Sequence, residues 1–227
     1  MSTLVRIIVS LIISLFFTSC LNFGEGIKGN GNVQSEERPV PGEFTVIKVS
    51  EGLDVFVTQD NKTSVTVEAD ENIIDLIRTD IQGDVLTIHL EERVGRAESK
   101  KILVTLPHIT RFETSSGAEL ETNHTITADR IELNSSSGSH LKVSVNADEV
   151  NCNSSSGSHI KISGTTGIIY TDASSGSHIK ANDLKAKKAV SEASSGANIT
   201  INASEESEAN TSSGGNVHNY GSASTSK

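Results

Sequence analysis

The chain has 227 residues, 35% of them hydrophobic, and a formal net charge of −10. That suits one core-forming domain or two small ones, and the acidic balance argues against nucleic acid as the main partner, because neutralising phosphates needs a basic surface. Only 4% of residues are aromatic and none is Trp, so the core must be aliphatic, and its β-branched runs favour strands.

Residues 1–20 hold one charge, Arg6, followed by the apolar run IIVSLIISLFF (7–17), small residues and Cys20. The run is too short for a comfortable membrane span and reads as the core of a secretion signal. Phe17-Thr18-Ser19-Cys20 resembles a bacterial lipobox, with Phe17 where Leu is usual, and Cys20 is the expected site of lipid attachment. The mature chain then carries 18 basic and 29 acidic residues, a net of −11, tethered to a membrane through its N-terminal lipid. Cys152 is left without a disulfide partner and is expected in the interior. Residues 21–43, rich in Gly, Asn and charge, read as a tether or irregular segment that buries little.

Between 44 and 106 come strand candidates with period-two apolar alternation: FTVIKVS (44–50), LDVFVTQ (53–59), TSVTVEA (63–69), DVLTIHL (84–90) and KILVTL (101–106). ENIIDLIRTD (71–80) places Ile73, Ile74, Leu76 and Ile77 at near-helical spacing and suggests a short helical turn.

From about 110 the sequence is periodic. SSGAEL, SSGSHL, SSGSHI, SSGSHI, SSGANI and SSGGNV put glycines at 117, 138, 157, 176, 196 and 214, spaced by 21, 19, 19, 20 and 18. Such a period marks a solenoid of stacked coils. Three residues after each glycine stand Leu120, Leu141, Ile160, Ile179, Ile199 and Val217. Seven before the later ones stand Ile131, Val150, Ile169 and Ala189. A coil of about 19 residues is too short for a βαβ crossover, so the fold class is all-β: a parallel β-helix of about 19-residue coils with a more irregular N-terminal β region. The domain runs over 44–220, with GSASTSK (221–227) as a polar tail.

Strand alternation places Ser154, Ser156 and Ser158 on the inner face with Ile160, and His159 and Lys161 outside. The Ser-Ser-Gly phrase then reads as a corner: serines bond across coils and glycine supplies a positive φ. Asn134, Asn153, Asp172 and Asn210 are further residues that tolerate left-handed turns. The outward columns would bring His140, His159 and His178 together with Lys142, Lys161 and Lys180 on one strip, about 10 Å from first coil to third. Three readings of that strip stay open: a solvated ladder; an anion-binding strip for acidic glycan or lipid headgroups, pH-dependent through the imidazoles; and a surface metal site, although a flat ladder rarely closes a tetrahedron. A catalytic site would need clustered carboxylates. Asp129 and Asp148 share a column, but no third acid and no aromatic sugar platform accompany them.

Residues 29–59 (GNGNVQSEERPVPGEFTVIKVSEGLDVFVTQ), VTVEADENIID (65–75) and the SSG repeats resemble the head GIN domain family of auto-transporter adhesins over about residues 29–220. The resemblance implies an exported cell-surface or periplasmic lipoprotein of Gram-negative bacteria with a right-handed parallel β-helix, and supplies no binding or catalytic residues. It also suggests Val49-Ser50-Glu51-Gly52-Leu53-Asp54 as an early copy of the repeat, with Leu53 and Val55 one residue out of register. The expectation is a non-enzymatic, lipid-anchored envelope scaffold that needs no cofactor or metal and binds a glycan, envelope polymer or surface protein. The rivals are a β-helix polysaccharide lyase or hydrolase and a self-assembling structural envelope protein. The sequence leaves the oligomeric state open.

Overall fold

The structure, a computed structural model, describes residues 26–226; Cys20 and the stretch read as a secretion signal lie outside the described residues. The strands in chain order are β1 (Val33–Arg38), β2 (Val46–Val49), β3 (Asp54–Gln59), β4 (Ser64–Asp70), β5 (Ile77–Gln82), β6 (Val85–Leu90), β7 (Lys100–Leu106), β8 (Arg111–Thr114) and β9 (Glu119–Thr122), followed by β10 (Ile126–Ser135), β11 (His140–Ser154), β12 (His159–Ala173), β13 (His178–Ala193), β14 (Asn198–Ile201), β15 (Ala203–Thr211), β16 (Asn216–Asn219) and β17 (Thr225–Ser226). From β8 onward they wind as a parallel β-solenoid. Its interior is a set of aliphatic columns: Val55, Leu120, Leu141, Ile160, Ile179, Ile199 and Val217 pair in that order. Ile131, Val150, Ile169 and Ala189 form a second column on the other side of the corner. Cys152 sits in the core, 1% exposed; burial pushes its thiol pKa far up, which leaves it inert.

Each corner is a pair of left-handed residues. Ser116, Ser137, Ser156, Ser175, Ser195 and Ser213 all have positive φ, as does the glycine after each. This conformation turns the glycine N–H along the stack, so that Gly138 donates to Ser156 O and Gly157 to Ser175 O, each at 3.1 Å. The inter-coil ladder therefore continues through the turn at the glycine. The next serine works inward. Ser158 is 0% exposed; its Oγ donates to Ser135 O in the preceding coil at 2.7 Å, and Ser177 Oγ donates to Ser154 O in the same way.

Three sequence expectations change here. Ser154 and Ser158 are inside as alternation requires, but Ser156 is exposed, because two left-handed residues push the tip of the corner outward and break the period. Asn134, Asn153, Asp172 and Asn210 are strand residues of ordinary φ; the serine takes the left-handed position, and Asn153 Nδ2 instead donates to Asn134 Oδ1 of the neighbouring coil at 2.8 Å. Glu51-Gly52 is a true corner copy, both residues at φ 66. Its register is not shifted: Val55 and Val57 pair with Leu120 and Thr122, while Leu53 fills the buried corner slot that holds Ser158 in a later coil.

The N-terminal end is closed by antiparallel strands. The coil made by β2 and β3 is flanked by β6 and β7 on one side and by β8 and β9 on the other, so the chain leaves the stack after β3 and returns below it. On the way β5 pairs antiparallel with β6, β4 with β7, and β1 with β4. Within the segment read as a tether, then, Val33–Arg38 is an exposed edge strand. The 71–80 stretch gives a single 3-10 turn, Ile74–Leu76, before Ile77 starts β5. Asp70 fastens this cap. It is buried and accepts N–H bonds from Gly31 (2.7 Å), Ser99 (3.0 Å) and Glu98 (3.3 Å). Burial alone would raise its pKa, but these backbone donors outweigh it and hold the carboxyl below its ordinary value. At the other end the tail is not free, since Thr225–Ser226 pairs with β15 and extends the ladder.

Candidate functional site

The coil register brings the predicted strip together. His140, His159 and His178 are direct partners on β11, β12 and β13, as are Lys142, Lys161 and Lys180. The imidazoles lie face to face: centroids are 5.0 Å apart with planes 3° apart for His140 and His159, and 4.9 Å with 11° for His159 and His178. Burial, the flanking His178 and His140 rings and the Lys180 ammonium together hold the His159 pKa below its ordinary value. The imidazolium form of His159 is thus disfavoured where it stands between the other two rings. The side-chain Nδ1 of His178 is buried without a hydrogen-bond partner among the described residues. Rings stacked in this way present edges in parallel and do not converge on a point. Among the described residues no group of three or more His, Cys, Asp or Glu is placed to hold a metal ion.

The lysine column is less cationic than the sequence suggests. Lys142 pairs with Glu121 of the coil before it, and Lys161 lies 4.0 Å from Asp183. Lys180 has no ion pair among the described residues. Glu121 was legible as the first member of the lysine column. Asp183 was not: an extra residue in β13 opposite Lys161–Ser163 shifts the register there and carries Asp183 beside the strip.

The structure also adds a residue that sequence reasoning passed over. Tyr170, on β12 before the corner, is 40% exposed and stands in an outward column between Asn151 and Val190. The same glycine alignment would have found it, six residues before Gly176, but it has no aromatic partners in its column. Tyr170 does not line the cleft at Asp129 and Asp148. Asp129 and Asp148 border, with His108, a cleft of about 440 Å³.

A family model described as "Putative auto-transporter adhesin, head GIN domain" matches residues 43–223. The chain belongs to that family. Known folds agree with this GIN-domain assignment. The crystal structure of a putative adhesin from Bacteroides fragilis superposes with a TM-score of 0.75 at 19% identity, covering 88% of this chain and 99% of that one. A putative lipid binding protein from Parabacteroides distasonis gives 0.65 at 19% identity over 88% and 99%. A putative adhesin from Parabacteroides merdae gives 0.64 at 15% identity over 90% and 100%. At such identities the likeness establishes the solenoid fold alone. No curated protein matches the chain.

Proposed function

We propose that this GIN-domain protein is a non-enzymatic surface adhesin, exported and anchored through a lipid on Cys20, that holds a polyanionic polymer along the His/Lys strip. The observation that carries this reading is the register: three lysines and three stacked imidazoles repeat at one per coil on a protein of net charge −10. A linear polyanion meets such a strip with regularly spaced charges. The family description and the adhesin neighbours support the surface role.

Dextran sulfate, whose charge is constant with pH, is the probe, and uncharged dextran is its control. Wild type is expected to bind the sulfated polymer with an affinity that falls as salt rises. Changing Lys142, Lys161 and Lys180 together to Gln should weaken it about tenfold or more. Equal binding by the two forms would remove the strip from the proposal. The anchor is checked separately by labelled palmitate, which wild type should incorporate and Cys20→Ala should not; equal labelling of both overturns it.

A further inference from the structure

On the strands before the corner, the face around Tyr170 is built differently from the His/Lys strip. Its outward column reads Lys48, Glu113, Asn134, Asn153, Asp172, Glu192 and Asn210, each in register with the next. Three clefts of about 500, 180 and 270 Å³ run along this column, and all three share Asp172. Asn153 lines the first two and Glu192 the last two, so together they form one shallow channel along the solenoid axis.

The chemistry of the channel is that of a polyol site. Asp172 and Glu192 are partners on adjacent coils, and neither carboxylate has a hydrogen bond or ion pair among the described residues. Like charges so placed are mildly destabilising. They also leave strong, unused acceptors pointing at solvent, which hydroxyl donors would satisfy. Tyr170 lines the middle cleft with Asn151, Asn153, Asp172 and Glu192 and offers a ring face flanked by half-buried Val190 and Ile168. An apolar ring beside amides and carboxylates matches a pyranose, which has an apolar face and a hydroxylated edge. Coils repeat every ~4.8 Å, so an extended sugar chain advances by about one residue per coil. Charge decides which saccharide: among the described residues Lys48, at one end and 3.8 Å from Glu113, is the one cation lining the three clefts. An acidic polymer is repelled here, unlike at the His/Lys strip.

We propose that this channel is a second binding site, for a neutral extended saccharide chain, with one ring stacked on Tyr170 and its hydroxyls donated to Asp172 and Glu192. The site shares no residue with the polyanion strip and does not depend on it.

Isothermal titration of the full chain with cellohexaose and with chitohexaose tests the proposal. Wild type is expected to bind at least one of them. Tyr170→Ala should weaken that binding about tenfold, Tyr170→Phe should keep it, and the Asp172→Asn/Glu192→Gln double change should weaken it. The Lys142, Lys161 and Lys180 triple variant should bind the hexaose as wild type does while losing dextran sulfate, which separates the two sites. Failure of wild type to bind either hexaose, or unchanged affinity in Tyr170→Ala, overturns the proposal.

Discussion

Ile160→Ala is expected to cost 2–5 kcal/mol, roughly the range for deleting a large buried aliphatic side chain, measured by urea unfolding. Ile160 is 1% exposed and lies between Leu141 and Ile179 in the longest interior column. The strands on either side are held about 4.8 Å apart by parallel ladders, so the wall cannot relax into the space left behind, and the cavity persists. Because a solenoid's stability is a sum of coil and nearest-neighbour terms, weakening a central coil should also broaden the transition. Val217→Ala makes the comparison. Val217 is in the same column but in the last coil and only half-buried, and the loss there should be clearly smaller. Equal losses at the two positions would mean that the column is not packed as described.

Gly164→Ala is expected to destabilise by at least about 3 kcal/mol, beyond the range for a strained φ alone. Gly164 has φ +114 and pairs with Val145 in the preceding coil, and a Cβ there would fall on the Val145 carbonyl oxygen. Backbone cannot swing aside as a side chain can, so the coil spacing itself must yield. Gly157→Ala separates the two causes. Its φ is +70, but nothing lies within 4 Å of a Cβ added there, so only the conformational cost remains, about 1–2 kcal/mol. Similar thermal midpoints for the two variants would contradict the close approach at Gly164.

The solenoid was legible because two signals agreed: glycines at near-constant spacing, and aliphatic residues such as Leu141, Ile160 and Ile179 at a fixed offset from them. The cap was not. The positions of β4 to β7 depend on partners far along the chain, β6 against β2 and β7 against β3, and no local period encodes that. Gly52 was found, but its register slipped because Leu53, an aliphatic residue in a slot that holds serine, alanine or glycine in the later coils, resembled the start of the strand. For the site, alternation on a strand was enough to align His140, His159 and His178. It could not foresee that Asp183 would partly offset Lys161, since that depends on a bulge. Tyr170 was missed for a different reason: a single aromatic in a varied column leaves no pattern to read.

The pH dependence of polyanion binding tests the function of the strip most directly. His159 faces His140 and His178 on its flanking coils, with Glu119 one coil further on and Lys142, Lys161 and Lys180 beside it. Its folded pKa is depressed, so the free protein loses stability as pH falls through that pKa, when charge is forced onto the stack. A bound polyanion favours the imidazolium and raises the pKa, which means that binding takes up protons and tightens as pH falls. Between pH 7.5 and 5.5 the affinity of wild type for dextran sulfate should rise about tenfold. Replacing His140, His159 and His178 together by Asn, the residue found in that column at Asn198 and Asn216, should flatten the dependence. The same affinity for wild type at both pH values, or the same slope in the Asn variant, would contradict a functional role for the histidine stack.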